Sequence, residues 1–310
     1  MGVFDNFFKW LLTPDRPPAA SHLKYVKDHE PQTMEELEHL FEAYQLEHYW
    51  EQMQPVVRTK IHLELSPVPE ARIGISKSKI GGLPALPHGF DFPKNHMGHY
   101  LSFIGQINCA EFSRFDHSGL LPKQGLISFF YCAEMEAWGF APEDKNSFKV
   151  CYFENTDELC KIEFPADLKP YARYTSNLIN CTPCLSIPTW EYDSVLGLIA
   201  DKDCDNYMEI SKGSDNQVFG YANCIQGPME LECQLVINGL YCGDRSGYEH
   251  PAAAALNEGK DDWILLLQID SDEEKTGMMW GDSGRIYFWI KKQDLQAKRF
   301  DKCWCILQCY

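Results

Sequence analysis

From Val57 the chain alternates: Val57, Thr59, Ile61, Leu63 and Leu65 are separated by Arg58, Lys60, His62 and Glu64. A period of two puts the two sets on opposite faces of an extended chain, which predicts a half-buried strand and the start of the folded body. Upstream the period changes. Leu37, Leu40, Phe41 and Tyr44 recur at three- and four-residue spacing behind a Thr33-x-x-Glu36 capping box, predicting a helix over residues 34–53. Earlier still, Val3, Phe4, Phe7, Phe8 and Leu11 share one helical face until Pro14 stops the run. Pro14, Pro17, Pro18 and Pro31 then mark a linker, so residues 1–32 read as an amphipathic helix plus a proline-rich connection.

Two apolar runs are alike. Leu101–Asn108 reads LSFIGQIN and Trp263–Asp270 reads WILLLQID; aligning Gln106 with Gln268 also aligns Phe103 with Leu265 and Asn108 with Asp270. Each run is followed by a glycine turn and a second apolar strand, Gly125-Leu-Ile-Ser-Phe-Phe in one case and Gly284-Arg-Ile-Tyr-Phe-Trp in the other. Two matches in one order argue for an internal duplication. The predicted fold class is therefore α+β: a β-rich single body built from two similar halves, about 56–155 and 205–310, within a domain spanning 33–310, with N-terminal helices. Residues 148–153, 231–237 and 303–308 are predicted as further strands, and 251–256 as a short helix. Lys79–Pro93 is so dense in proline and glycine that it reads as an ordered loop and not as a central strand.

Charge narrows the partners. With 28 basic and 45 acidic residues the formal charge is −17, which disfavours a nucleic-acid backbone and favours a cationic protein. Thirteen cysteines without a secretory pattern point to free thiols in a reducing cytoplasm. No apolar window approaches the length of a membrane span. Only Lys9 is basic in the first helix, so Phe4, Phe7, Phe8 and Leu11 read as a face for a partner or a sister copy, leaving an oligomer open, before a membrane surface.

No catalytic set, metal site or cofactor motif emerges. Gly281-Asp282-Ser283-Gly284 resembles the nucleophile segment of trypsin-like proteases. Arg285 follows where a second glycine is wanted, and no histidine has the matching context. Cys181-x-x-Cys184 lacks a second pair at zinc spacing, and Asp201, Asp203 and Asp205 lack the glycine and distal glutamate of a calcium loop. What remains is recognition. Gln106, Asn108, Gln268 and Asp270 are expected to meet near the seam of the halves as a polar site or a structural network. Trp280, Asp282 and Arg285 stand where the first half has Leu121, Pro122 and Leu126, so this asymmetry is the place expected to carry binding. A protein-binding protein without catalytic activity is the leading expectation; a small-molecule pocket or enzyme at the seam is the alternative.

The ordered segments SKIGGLPALP, LSFIGQIN, LPKQGLISFFY, FGYANCIQGP, WILLLQIDSD, MMWGDSGRIYFWIKKQDL and WCILQCY resemble the YwqG-like family of bacterial proteins over roughly residues 34–310. The resemblance implies an α+β fold with an internal duplication and no assigned activity. Some members resemble neighbours or parts of polymorphic-toxin loci, which implies an immunity or regulatory role. The Phe-rich N-terminal helix and the abundance of cysteine depart from that family.

Overall fold

The computed structural model describes residues 30–133 and 137–310; Phe4, Phe7, Phe8 and Leu11 lie outside the described residues. The strands are β1 (Arg58–Pro67), β2 (Lys79–Ile80), β3 (Ala85–Pro87), β4 (Ser102–Asn108), β5 (Leu126–Tyr131), β6 (Phe148–Phe153), β7 (Leu159–Lys161), β8 (Asn177–Ser186), β9 (Gln217–Phe219), β10 (Trp263–Asp270), β11 (Arg285–Lys291) and β12 (Trp304–Gln308). Ten of them form one antiparallel sheet in the order β12-β11-β10-β9-β1-β8-β2-β4-β5-β6, and β3 pairs with β7 apart from it. Its middle is the β1–β8 ladder, which runs in unbroken register from Arg58↔Ser186 to Pro67↔Asn177.

Strand twist accumulates across so many strands, and this sheet curls until its edges nearly meet. Phe129 of β5 touches Phe288 of β11 with ring centroids 5.1 Å apart, and Phe148 of β6 lies 5.4 Å from Trp304 of β12. The segment after β5 bridges the gap: Leu307 N–H donates to the Trp138 carbonyl at 3.0 Å, and Trp304 Nε1 donates to the Gly139 carbonyl at 2.9 Å. The enclosed space is filled by side chains, among them Ile61, Leu63, Phe129, Leu265, Trp280 and Phe288, all in one buried cluster.

The helices are α1 (Met34–Ala43), α2 (Trp50–Met53), α3 (Cys109–Phe112), α4 (Cys204–Ser211), α5 (Glu230–Val236), which packs into the main core through Cys233, Leu235 and Val236, α6 (Ala253–Leu256) and α7 (Lys292–Gln296). Thr33 caps α1 by accepting from Glu36 N–H, and the Glu36 carboxylate accepts from Gln32 N–H at 2.7 Å. The helix expected to reach residue 53 stops ten residues earlier. Gln45 takes φ +59° and Leu46 N–H returns to the Phe41 carbonyl, which turns Leu46, Tyr49, Trp50 and Met53 into a second core with α1 and α4.

Two further readings change. Residues 231–237, expected as a strand, are the body of α5 and its C-cap Ile237, because Cys233 and Val236 recur at helical spacing on a buried face. Lys79–Ile80, expected to lie in a loop, is a strand between β4 and β8. Two residues suffice there because Gly81 and Gly82, at φ +69° and +71°, carry the chain off the sheet at once.

Candidate functional site

The buried glutamines are structural anchors. Gln106 accepts from Ala85 N–H at 3.0 Å and donates through Nε2 to the Ile75 and Lys77 carbonyls, both at 2.8 Å. Gln268 repeats the pattern: it accepts from Asn223 N–H at 2.9 Å and donates to the Ser214 and Asp215 carbonyls. Each amide thereby fastens two loops to its strand and leaves none of its principal hydrogen-bonding capacity for a ligand. Gln308 does the same for residues 225–227.

The two glutamines do not meet. Phe129 and Phe288 face the interior, so their strand neighbours Ser128 and Tyr287 face outward, and these are the residues paired with Gln106 and Gln268. Four strands, β9, β1, β8 and β2, also stand between β10 and β4. The expected seam site is therefore two separate outer-face anchors. Asn108 belongs to the first, capping α3 by accepting from Ala110 N–H and donating to the Ser76 carbonyl at 2.8 Å.

Around Gln268 the chemistry is different. Arg285, at the start of β11, is buried and pairs through Nε with Asp270 at 3.2 Å and through Nη2 with Asp215 at 3.4 Å; Nη1 donates to the Asn223 carbonyl. Burial pushes the Asp270 carboxyl up to about 6 even though Arg285 opposes it, and Asp215 adds like-charge repulsion. Asp215 itself is largely exposed. Beyond Asp270, the loop to Gly284 carries exposed Glu273, Glu274 and Asp282. Asp272 shapes this loop, its carboxylate accepting from Lys275 N–H at 2.9 Å.

Of the three residues expected to distinguish this end, each does something different. Arg285 is the buried counter-charge. Asp282 is exposed, and its carbonyl accepts from Tyr310 N–H. Trp280 is fully buried against Tyr131 and Tyr174, so it is packing and does not present a surface. Ser283 sits exposed at φ +54° and makes no hydrogen bond among the described residues.

Sequence reading missed three charged clusters because their members are far apart along the chain. Lys60, on an otherwise alternating strand, is buried and pairs with Glu30 at 3.1 Å, whose carboxylate also accepts from Ser214. Lys79 is wholly buried, donating to Glu70 and to the Leu83 carbonyl, and Lys161 meets the same glutamate at 2.8 Å. Glu232 lies in α5 with Oε1 lacking any partner and Oε2 3.4 Å from the Tyr248 hydroxyl; burial pushes its carboxyl up to about 8. All thirteen cysteines are free thiols, Cys303 and Cys305 fully buried with thiols pushed up by that burial. No cluster of three or more metal-binding side chains occurs among the described residues, and none of their helices is long and apolar enough to cross a membrane.

Residues 78–309 match the family model described as Domain of unknown function (DUF1963). No curated protein matches the chain.

Proposed function

The chain belongs to the DUF1963 family, and from that premise we propose that it acts without catalysis, by binding another protein whose contact surface is basic. The observation that carries this reading is the charge at the Asp270–Gly284 loop. Asp270, Asp272, Glu273, Glu274 and Asp282 put five carboxylates on this loop against Lys275, and Arg285 at its end joins Asp270 to a sixth, Asp215. A cationic partner relieves that surplus and gains steering from the whole molecule's formal charge of −17. Thirteen free thiols support a reducing cytoplasm as the compartment. Within the family we group the chain with the YwqG-like proteins its motifs resemble, and an immunity or regulatory partner of a basic toxin domain is the form this function takes.

We also infer an internal duplication. It is supported by the two glutamine anchors, and by the register slip that falls at Phe103/Gly105 in one hairpin and at Leu265/Leu267 in the other. Each repeat has contributed its first strand to the other's half of the sheet: β1 lies beside β9 and β8 beside β2.

The test is affinity purification of the tagged full chain from its native host, beside a variant carrying Asp215→Asn, Glu273→Gln, Glu274→Gln and Asp282→Asn. A basic protein is expected with the unaltered chain and lost from the variant. Its affinity falls with added salt, and also from pH 7.5 to 5.5 as Asp270 gains a proton near pH 6. A partner that the variant retains undiminished, or recovery of a small molecule alone, sinks the reading.

A further inference from the structure

Three aromatic side chains close one place in this fold, while at the corresponding place two aliphatic side chains are buried and the third position is exposed beside a groove. Tyr131 at the end of β5, Tyr174 just ahead of β8 and Trp280 are all buried, with ring centroids 5.7 Å apart for both the Tyr131–Trp280 and the Tyr174–Trp280 contacts. The counterparts follow from backbone bonding. Cys109 N–H donates to the Gly125 carbonyl as Ser271 N–H donates to that of Gly284, and the two hairpins slip register at matching points. Ile290 then stands where Tyr131 does, and Leu121 where Trp280 does. Lys79 pairs with Gln106 and Leu178, whereas Gln217 pairs with Gln268 and His62, so Arg58 stands where Tyr174 does.

Two aliphatic side chains and one arginine therefore replace three rings. At Arg58 the surface holds a groove of about 260 Å³. Phe219, Ile264 and Leu120 make its apolar floor, Thr59 lines it, and Arg58 and Lys292 flank it. Asp116 keeps the Leu120 loop in shape by accepting from Gly119 N–H at 3.1 Å and Leu121 N–H at 2.7 Å, so its carboxylate is engaged within the loop.

The two flanking cations are not tied to carboxylates, unlike the buried or half-buried cations of the charged clusters. Lys60, Lys79, Lys161 and Arg285 are all tied to carboxylates. Arg58 and Lys292 form no hydrogen bond or ion pair among the described residues, and Arg58 rests with its guanidinium 4.0 Å over the Tyr221 ring, which leaves its N–H edge available. Glu230 is the acid that acts on Arg58 electrostatically, and burial pushes its own carboxyl up, which weakens its hold on the guanidinium.

We propose that this groove is a binding site for a small carboxylate with a flat apolar body, the ring lying on Phe219, Ile264 and Leu120 and the carboxylate on the forked donors of Arg58, with Lys292 beside it. A guanidinium edge matches a carboxylate in two parallel hydrogen bonds. A volume of about 260 Å³ lies just below the usual range of drug-sized ligand pockets, room for one bicyclic ring system and too little for a dinucleotide. The site is distinct from the acidic loop and does not depend on the protein-binding reading.

Indole-3-acetate is a suitable probe, titrated into the full chain carrying labelled Ile and Leu methyl groups, with indole-3-acetamide as the uncharged control. Saturable shifts are expected at the Ile264 and Leu120 methyls, with roughly tenfold weaker binding for the amide and a similar loss in Arg58→Gln. Leu120→Trp places a ring in the groove and is expected to abolish the shifts at Ile264. Arg58 is exposed, so its variant keeps the test valid if the tryptophan disturbs folding. The proposal is overturned by the absence of saturable shifts at these methyls, by equal affinity for acid and amide, or by an Arg58→Gln chain that binds as well as the native one.

Discussion

Single side chains in this protein are worth most where they are buried and polar. Gln268 satisfies one amide N–H and two carbonyls in the two loops that flank β9. Gln268→Leu keeps the volume and orphans all three, so a loss of about 3 kcal/mol in unfolding free energy is expected, measured by denaturant titration. Gln106→Leu is expected to behave alike, and a change under about 0.5 kcal/mol at both would show that the anchors carry no load. Glu232 offers the opposite case. Its folded carboxyl sits near 8 against an ordinary 4.5, so between those values the folded chain holds a proton that the unfolded chain gives up. Its contribution is therefore greatest at low pH and lost as pH rises toward 8. Glu232→Gln removes that dependence: the variant is expected to match the native chain at pH 4 and to exceed it at pH 8.5, by up to about 4 kcal/mol. Equal stability at both pH values would show that the carboxyl is not buried as described.

At the scale of elements, short pieces do what long ones usually do. β2 has two residues, yet it fills the place between β4 and β8 and delivers Lys79 to Glu70. The turn that follows depends on glycine. Gly82 has φ +71°, and a Cβ there would collide with the Glu70 carboxylate that holds Lys79 and Leu83. Gly82→Ala is expected to cost roughly 2 to 3 kcal/mol through combined backbone strain and loss of that ion pair, seen as a lowered unfolding midpoint. Gly89→Ala is the control, since its φ is also positive but open space surrounds it, and it should cost only about 1 kcal/mol. β10 and β11 were legible because an apolar run and a glycine turn lie within a few residues of each other. β8 was not, because NLINCTPCLS has no clean alternation and is stabilised by partners on both sides. α5 was misread for a related reason: a short apolar run fits either period until something packs on it.

The whole molecule is held together by pairing between distant strands. Because β1 lies beside β9 and β8 beside β2, neither the N-terminal nor the C-terminal part of the chain completes its sheet alone, and the β1–β8 ladder joins them along ten residue pairs. Fragments 30–170 and 171–310 are therefore expected to be unfolded when made separately and to give native-like near-ultraviolet dichroism when co-expressed. A cooperative unfolding transition from either fragment alone would contradict this. The candidate sites obey the same logic, since the acidic loop brings Asp215 to Asp270 and the groove brings Leu120 to Ile264 across long stretches of chain.

By itself the sequence determined whatever nearest neighbours along the chain can encode: the alternation of β1, the Thr33 cap, the apolar runs and glycine turns of the β4–β5 and β10–β11 hairpins, and the acidic net charge. Periodicity and capping need only a few consecutive residues, so a linear reading recovers them. The tertiary structure alone decided that Gln106 and Gln268 face outward on strands separated by four others in the sheet, that Lys60 is buried against Glu30, and that Trp280 is packing while Arg58 flanks a groove. Those outcomes depend on which strands become neighbours when the sheet curls, and that is set by burying one shared core from residues up to some 250 positions apart in the chain.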